Sequence, residues 1–387
     1  MAVPTSRPAT GTLLALETPA LIADRGRVIA NADRMRARAA AHGVALRPHL
    51  KTLKSADGAR IAHGGLAGPV TVSTLREAEY FLERGFADMT YAVCIAPAKF
   101  RHAASLVDRG ADLKLLLDNP DVATGLGEFA AGRERRVSVM IEIDCGDHRT
   151  GLAPDAPQLV ETARRIEQAP GLRLHGLLTH GGHSYLCRST DAMAVVAEEE
   201  RQSLLEARAR IESAGIGVPV LSSGSTPTAV HGRNYEGLAE IRPGVYLAGD
   251  LYQAQLATCD LDDIAVTVLA SVIAVDRARN RVVIDAGGLA LSKDRSTASA
   301  PIDYGYGLLA RVDGSRYASD LVVTGVSQEH GVVSSQVPLP FDELAPGALV
   351  RVLPNHVCMT AASYDRYYVV DGKDPTLVDT WDKVAGW

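Results

Sequence analysis

Lys51 is the residue with the clearest capacity for amine chemistry. It closes the polar segment Arg-Pro-His-Leu-Lys, residues 47–51, directly after a short β-rich run. A lysine amine forms a Schiff base with an aldehyde cofactor when burial and neighbouring cations lower its pKa. The alternative is a solvated lysine in a basic loop shared with Lys54, because lysine is rarely buried.

His356 and Cys358 offer metal-binding chemistry near the other end of the chain. They stand two residues apart in the segment Pro-Asn-His-Val-Cys, residues 354–358. If the backbone is extended there, both side chains face the same way, and an imidazole with a thiolate selects zinc or another thiophilic metal. The alternative is a buried cysteine beside a polar turn, since free cysteine is commonly a core residue. Glu329 and His330 form a further polar cluster that could orient such ligands.

Glycine-punctuated loops elsewhere in the chain have the composition of anion-binding sites. Residues 222–228 read Ser-Ser-Gly-Ser-Thr-Pro-Thr, and residues 242–245 read Arg-Pro-Gly-Val. Small residues let backbone N–H groups approach an anion, and barrels often bind phosphate after their last two strands, although both segments also suit plain turns. Arg149, in another such loop, can donate to an anionic oxygen. His180 and His183 are candidate metal ligands, although loop histidines more often form hydrogen bonds.

These candidate residues follow short β-rich runs that alternate with amphipathic stretches of helical length. The alternation between residues 45 and 250 predicts a parallel sheet, and its repeats suggest a closed (β/α)8 barrel, a TIM-like barrel with its chemistry after the strands. An open doubly wound sheet is the alternative, but no Gly-x-Gly-x-x-Gly turn follows an early strand. The predicted strands are Ala45–Pro48, Val70–Ser73, Met89–Val93, Leu113–Leu117, Val137–Ile143, Leu172–Thr179, Val218–Ser222 and Glu240–Leu247.

The pattern changes after about residue 256, where alternating and β-branched runs with turn residues between them predict a domain with little helix. We therefore expect an α/β barrel over residues 25–255. Residues 1–24 and 256–387 are expected to form a mainly β domain that carries the metal site. The runs behind this expectation include Ile264–Val275, Arg281–Ile284, Asp320–Val326 and Ala348–Leu353.

The composition excludes several classes of protein. Lys and Arg number 40 against 46 for Asp and Glu, a net charge of −6, whereas a nucleic-acid-binding protein usually shows a basic surplus. The five cysteines have no paired spacing, so no disulfide framework is expected. Residues 1–10 lack the apolar core of a signal peptide, and no apolar run reaches the roughly eighteen residues that span a bilayer. We therefore expect a cytoplasmic protein with no nucleic-acid or membrane partner.

Six short segments, in their order and spacing, resemble the zinc-containing D-serine dehydratases, within the wider group that includes the D-threonine aldolases. The resemblance runs from Glu17 nearly to the C-terminus and implies the alanine-racemase-like fold, a barrel followed by a β-domain. One departure is Leu53, where the family usually has a histidine; if that histidine shapes the substrate pocket, specificity here differs from D-serine. The segments are Arg-Pro-His-Leu-Lys-Thr (47–52), His-Ser-Tyr (183–185), Gly-Ser-Thr-Pro-Thr (224–228), Glu-Ile-Arg-Pro-Gly (240–244), Gln-Glu-His-Gly (328–331) and Pro-Asn-His-Val-Cys (354–358).

The resemblance implies a role for each candidate residue. Lys51 would carry pyridoxal 5′-phosphate, and His356 with Cys358 would bind Zn²⁺ or another divalent metal, whose shell water and substrate complete. The further roles are a phosphate clamp at Ser225, Thr226, Gly244 and Val245, a contact from Arg149 to the phenolic oxygen of the cofactor, and a place near its ring for Tyr185. Whether Tyr185 or Arg242 faces the pyridine nitrogen stays open.

The implied reaction is β-elimination of a β-hydroxy D-amino acid, with D-serine giving pyruvate and ammonia. Lys51 would remove the α-proton, and the metal would stabilise the departing hydroxyl. The alternatives are a D-threonine-type aldolase, a 3-hydroxy-D-aspartate dehydratase or aldolase and, ranked lower, a racemase or a non-catalytic carrier of the cofactor. Aldolases of this group tend to have aspartate in place of the cysteine, so Cys358 favours the dehydratase. The resemblance also implies a homodimer.

Overall fold

The structure, a computed structural model, describes residues 11–387, so the expectation about residues 1–10 lies outside the described residues. No helix in this range is long and apolar enough to cross a membrane. The strands are β1 (Ala20–Asp24), β2 (Ala45–Leu46), β3 (Val70–Val72), β4 (Asp88–Cys94), β5 (Asp112–Leu117), β6 (Val137–Ile143), β7 (Leu172–Thr179), β8 (Val220–Ser223), β9 (Glu240–Ile241), β10 (Val266–Asp276), β11 (Arg281–Ile284), β12 (Gly307–Arg311), β13 (Val322–Val326), β14 (Gly331–Ser334), β15 (Leu349–Pro354), β16 (Arg366–Asp371) and β17 (Asp374–Asp382). The helices are α1 (Arg25–Ala41), α2 (Ala56–Ala62), α3 (Leu75–Glu83), α4 (Phe100–Asp108), α5 (Pro120–Ala130), α6 (Pro157–Gln168), α7 (Thr190–Ser213), α8 (Thr226–His231), α9 (Leu251–Gln255), α10 (Gly288–Leu291) and α11 (Val357–Ala361).

Two compact units divide the described chain. The barrel unit comprises residues 34–51, 63–244 and 386–387. The β unit comprises residues 11–33, 52–62 and 245–385. The expected domain limits near residues 25 and 255 stay a prediction.

The barrel unit is a ring of parallel strands. Its eight-stranded sheet has the order β2-β9-β8-β7-β6-β5-β4-β3. Beyond β2, the N–H of Leu50 donates to the carbonyl oxygen of Thr71 at 2.9 Å, and the N–H of Thr71 donates to that of Pro48 at 2.9 Å. These bonds join the two edges of the sheet, so the predicted (β/α)8 barrel is confirmed. All its strands point the same way, and their carboxyl ends therefore meet at one mouth.

The barrel strands follow from sequence runs that suit burial on both faces. Every residue of β6, Val-Ser-Val-Met-Ile-Glu-Ile, is buried, as expected for a parallel strand between an interior and a layer of helices. The predicted bounds of β6 and β7 agree with the structure. The predicted strand Glu240–Leu247 is wrong in length, because Pro243 has no N–H to continue the ladder. β9 ends at Ile241, and a 3₁₀ turn spans Val245–Leu247.

The β unit confirms the predicted mainly β domain. Its nine-stranded sheet has the order β11-β14-β13-β12-β15-β10-β1-β16-β17, and β10 also pairs with β11, so six of the strands close a second ring. Within this sheet of the described residues, β1 pairs with β16 in parallel and the other pairings are antiparallel. Apolar side chains from β1, β10, β16 and β17 pack into one cluster that includes Ile22, Leu269, Val370 and Leu377.

Candidate active site

A cavity of about 410 Å³ opens among the carboxyl ends of the barrel strands. Its volume lies within the range of small-molecule pockets, and its position is the one where barrel enzymes place their chemistry. The wall combines an amine, guanidinium groups, imidazoles, a thiol and a carboxylate with a few apolar side chains. The lining residues are His49, Lys51, Ser73, Ala92, Val93, Cys94, Glu142, Arg149, Thr150, Leu178, His180, Gly224 and Arg242.

Lys51 lies in the turn that follows β2, and its side chain lines the cavity. The backbone bonds that close the barrel fix this turn, because Leu50 and Pro48 pair with Thr71 on β3. Lys54, the other lysine of the segment, is not among the lining residues. Of these two lysines, Lys51 lines the cavity and Lys54 does not.

His49 and His180 place two uncharged imidazoles in the cavity wall. Burial, followed by the positive charges of Lys51, Arg149 and Arg242, lowers the pKa of His180 to about 3. Burial and the charges of Lys51 and Arg242 also lower the pKa of His49 well below its ordinary value. Both rings are therefore neutral at neutral pH and can each donate one hydrogen bond and accept another.

Arg242, directly after β9, presents a buried guanidinium to the cavity. The residue is 4% exposed. Its Nη1 donates to Ser222 Oγ at 2.7 Å, and its Nη2 donates to the carbonyl oxygen of Thr179 at 2.5 Å. Burial lowers the pKa of Arg242 to about 10, although the negative charges of Glu240 and Glu200 act to raise this pKa. The group therefore stays protonated at neutral pH.

Arg149 reaches the cavity from the loop after β6. The carboxylate of Asp144 shapes this loop, because its Oδ1 accepts the N–H of Gly146 at 2.9 Å and that of His148 at 3.0 Å. Arg149 is exposed and lies 3.8 Å from Asp147, a loose ion pair that leaves the guanidinium available to another anion.

Cys94, Asp118 and Glu142 converge beside the cavity from three neighbouring strand ends. Their possible ligand atoms lie within 4.8 Å of one another, close enough to hold a metal ion. Cys94 Sγ donates to Glu142 Oε2 at 3.0 Å. Burial, with the charges of Glu142 and Asp118, raises the pKa of the Cys94 thiol. This thiol is therefore protonated at neutral pH. None of the three residues was among the site residues predicted from the sequence.

The predicted phosphate segments of the barrel unit lie side by side. Ser225 and Thr226 are 2% and 1% exposed, and Ser225 caps α8 by accepting the N–H of Thr228. The N–H of Gly244 donates to Thr226 Oγ1 at 3.3 Å. A Cβ on Gly244 would lie 2.6 Å from the carbonyl oxygen of His49, so no larger residue fits without backbone movement. Glycine at position 244 therefore lets the backbones of His49 and Gly244 pack closely together beside the Thr226 hydroxyl.

Six of the residues predicted in the loops after the barrel strands are not among those that line the cavity, namely His183, Tyr185, Ser225, Thr226, Gly244 and Val245. Tyr185 and His183 belong to the 3₁₀ turn Gly182–Leu186 after β7, and neither is among the lining residues. His183 Nε2 is 3.0 Å from Glu199 Oε2, whereas His180 Nδ1 is 3.4 Å from the carbonyl oxygen of Gly224. The two histidines thus have separate partners rather than one shared ligand position. Val245, the fourth predicted phosphate residue, is buried in the β unit.

In the β unit, His356 and Cys358 come together as predicted, but by a different backbone. His356 is extended, whereas Cys358 lies within the short helix α11, so the condition of an extended backbone holds for the first half of the segment alone. The two side chains are hydrogen-bonded, and Cys358 Sγ is also 3.0 Å from Thr52 Oγ1. Burial lowers the pKa of His356, but its hydrogen bonds with Asp294 and Cys358 outweigh burial and raise it. A nitrogen and a sulfur that face each other in this way form a donor pair that suits zinc.

The residues around the pair hold it in place. Asn355 is fully buried and donates to Thr297 Oγ1 and to the carbonyl oxygen of Gly305, both at 2.7 Å. The N–H of Val357 donates to Asp250 Oδ2 at 3.0 Å. The amide and the carboxylate thus anchor the backbone on either side of His356.

Asp294 orients the His356 imidazole, a role for which the sequence offered Glu329 and His330 as candidates. Asp294 Oδ2 is 2.6 Å from His356 Nδ1, and its Oδ1 accepts the hydroxyl of Ser296 at 2.8 Å. Since a carboxylate only accepts, Nδ1 carries the proton, and Nε2 is left to a metal. Glu329 and His330 form hydrogen bonds within their own turn, where Glu329 Oε1 accepts from Gln328 Nε2 at 3.2 Å and the carbonyl oxygen of His330 accepts the N–H of Ser327 at 2.8 Å.

Leu53, the departure from the family pattern, is a core residue of the β unit. It is 1% exposed, and its Cδ1 would lie 2.7 Å from a Cβ on Gly58 of α2. Leu53 therefore fills the space beside α2, and it is not among the residues that line the barrel cavity.

Comparison with known proteins places this arrangement among related sequences. Residues 23–252 match the alanine racemase N-terminal domain, and residues 265–370 match the serine dehydratase domain. The chain is 39% identical to D-threo-3-hydroxyaspartate dehydratase of Delftia sp. (strain HT23), over 97% of this chain and 99% of that protein. It is 31% identical to D-serine dehydratase of Dictyostelium discoideum, over 96% of this chain and 98% of that protein.

The solved structures agree with these sequence matches. A cysteine-to-alanine variant of D-threo-3-hydroxyaspartate dehydratase, solved in a metal-free form, is 37% identical to this chain and superposes with a TM-score of 0.93. The match covers 97% of this chain and 100% of that one. The two proteins therefore share one fold over essentially their whole length.

Proposed function

Because this chain belongs to the D-serine dehydratase family with the alanine-racemase-like fold, we propose that it is a pyridoxal-phosphate- and zinc-dependent lyase. The reaction is the dehydration of a β-hydroxy D-amino acid to a 2-oxo acid and ammonia. The observation that carries the proposal is the convergence of Lys51, two guanidinium groups and two neutral imidazoles on one cavity at the barrel mouth.

The cavity fits an anionic aromatic aldehyde. Its volume of about 410 Å³ suits a small cofactor, and Lys51 supplies the amine. Arg149 and Arg242 supply cationic donors in the cavity wall. Ser225 and Thr226 directly follow the lining residue Gly224, and we assign the phosphate to this segment, whose hydroxyls and small residues suit an anion. When bound, pyridoxal phosphate supplies a conjugated ring that spreads the negative charge left on Cα.

Each cavity residue then has a task of its own. Lys51 Nζ is the group that accepts the α-proton, since its amine is the basic nitrogen at the mouth of the barrel. His49 and His180 stay neutral beside it, so they donate and accept hydrogen bonds without adding positive charge. Arg149 and Arg242 bind and orient anionic oxygens or ring atoms.

His356 and Cys358 would hold the zinc, with Asp294 fixing the imidazole. The donor pair fits, and a relative solved in a metal-free form after loss of a cysteine is consistent with a thiolate ligand. Zinc supplies a Lewis acid that stabilises a departing hydroxide. Two protein ligands are fewer than the three of an ordinary catalytic zinc site, so ligands from outside the protein would complete the shell.

The deciding experiment follows the absorbance of the purified protein with pyridoxal phosphate and then the products formed. We expect a visible band that Lys51→Ala abolishes, and a 2-oxo acid from D-serine or D-threo-3-hydroxyaspartate that chelation of zinc prevents. Comparing the two substrates separates the two kinds of dehydratase named among the relatives. Absence of a band with added cofactor would refute the proposal.

A retro-aldol cleavage of β-hydroxy D-amino acids is the second candidate, because D-threonine aldolase of Arthrobacter sp. is 26% identical over 96% of this chain. In that case D-threonine would give an aldehyde and glycine rather than a 2-oxo acid. Cys358 favours dehydration over this outcome, since the aldolases of the group tend to have aspartate there. Cytoplasmic location and a homodimer belong to the proposal, and size-exclusion chromatography with light scattering tests the dimer.

A further inference from the structure

A chain of buried hydrogen bonds leads from the cavity wall into the barrel interior. Arg242 Nη1 donates to Ser222 Oγ at 2.7 Å, and Ser222 Oγ donates to Glu240 Oε1 at 2.7 Å. The other carboxylate oxygen, Glu240 Oε2, accepts Arg47 Nε at 2.7 Å. All four residues are at most 7% exposed. The chain is therefore dry, and its hydrogen bonds are worth more than they would be in water.

The serine hydroxyl separates a guanidinium from a carboxylate. Glu240 makes its direct ion pair with Arg47, which also donates to Asp88 at 2.6 Å, and it is joined to Arg242 through the Ser222 hydroxyl. The groups that accept from the Arg242 guanidinium, Ser222 Oγ and the carbonyl oxygen of Thr179, are both neutral. Arg242 thus keeps a fixed orientation without losing its charge to a direct partner.

We propose that Ser222 and Glu240 are positioning residues that hold the Arg242 guanidinium at the cavity wall, as a cationic hydrogen-bond donor to the bound cofactor. The inference rests on the proposed function, because it takes the occupant of the cavity to be pyridoxal phosphate. It goes further by assigning a task to two residues that do not line the cavity.

The direction of each bond makes the pair act as a unit. Ser222 can accept from Arg242 only while its own proton points to Glu240, because a guanidinium has donors alone and a carboxylate has acceptors alone. Removing the hydroxyl leaves one buried donor and one buried acceptor without a partner, and the guanidinium then turns towards the carboxylate. Replacing Glu240 by glutamine removes the charge that fixes the serine proton and places an amide beside Arg47.

The test measures binding of pyridoxal phosphate to the full-length, cofactor-free protein, together with the absorbance maximum of the bound cofactor. We expect Ser222→Ala and Glu240→Gln each to weaken binding about tenfold and to shift the maximum, since one hydrogen bond to a charged group is lost. The double variant should bind no more weakly than either single variant, because both changes break one chain.

Ser138→Ala is the matched control. Ser138 is also buried in a barrel strand and accepts an arginine, Arg173, at 2.7 Å, but neither residue lines the cavity. Melting temperatures of the variants report the structural cost that Ser138→Ala and Ser222→Ala share. Only the variants at 222 and 240 should change the affinity and the absorbance maximum.

Two outcomes would overturn the inference. One is a Ser222→Ala protein whose affinity and spectrum match those of Ser138→Ala, and the other is a double variant whose loss is the product of the two single losses. If Ser222→Ala does not fold, Ser222→Cys keeps the shape with a weaker donor and should still shift the spectrum; an unchanged spectrum refutes the inference. A wild-type protein that gives no band with the cofactor would refute the proposed function instead.

Discussion

Replacing Asp294 by asparagine should weaken zinc binding at His356 and Cys358 without disturbing the barrel cavity. The carboxylate accepts His356 Nδ1 at 2.6 Å and so directs Nε2 towards the metal position. Asparagine has nearly the same shape and can still accept this proton through its amide oxygen. The substitution therefore removes the negative charge and leaves most of the geometry.

The expected size follows from the contact and its exposure. Loss of a partner that orients a metal-bound histidine costs about 10- to 100-fold in metal affinity. The Asp294 side chain is 32% exposed and that of His356 is 29% exposed, so solvent screens part of the lost charge. We therefore expect the lower end of the range, about tenfold, or roughly 1.4 kcal/mol.

Competition between the metal-free protein and a chromophoric zinc chelator measures this change directly, without an activity assay. Asp313→Asn is the matched control, because Asp313 also accepts the hydroxyl of the serine two residues further on, Ser315, at 2.6 Å. Cys358→Ser sets the scale for loss of a ligand. Equal zinc affinity of Asp294→Asn and the wild type, or an equal loss in Asp313→Asn, would refute the assignment.

Three further perturbations test the cavity and its surroundings. Gly244→Ala should lower both the affinity for pyridoxal phosphate and the melting temperature, because its Cβ would lie 2.6 Å from the carbonyl oxygen of His49, whereas Gly217→Ala, with open space around its Cβ, should change neither. Because burial and then neighbouring cations lower the pKa of His180 from 6.5 to about 3, the unfolded state takes up a proton that the folded state excludes. The stability that this group contributes is therefore complete above about pH 6.5 and is lost as the pH falls towards 3, so His180→Asn should flatten the acid limb of the unfolding free energy of the cofactor-free protein; parallel curves would contradict this. Leu53→His should lower the free energy of unfolding by about 2 kcal/mol through burial of a polar ring, against less than about 1.5 kcal/mol for Leu53→Met, and equal losses in chemical denaturation would refute the burial argument.

Contiguous patterns account for the parts of the structure that the sequence predicted. β6 and β7 are short runs rich in valine, isoleucine and leucine, so their limits could be predicted from composition. The same holds for Lys51, whose place directly after a strand puts it at the mouth of any parallel barrel. His356 and Cys358 could also be predicted as a pair from their own five-residue segment. The short helix α11, which contains Cys358, could not be predicted from those five residues.

Contacts between distant residues account for what the sequence did not predict. Asp294 lies 62 positions before His356, and no spacing rule links them. Cys94 and Glu142 meet across β4, β5 and β6, so their contact depends on strand register. A prediction from one sequence has no access to such pairings.

The missed residues nevertheless share a property that a sequence can show. Glu142 interrupts an otherwise almost apolar strand, and Glu240 begins the short strand β9, both residues of which are buried. Acidic residues usually mark an exposed face, so periodicity alone assigns them to the surface. A carboxylate in a doubly buried strand is costly unless a donor meets it, and each of these two has one, Cys94 for Glu142 and Arg47 for Glu240. An acidic residue inside such a run therefore indicates a buried partner from another part of the barrel. Glu142 itself lines the cavity, and Glu240 is linked to the lining residue Arg242 through the Ser222 hydroxyl.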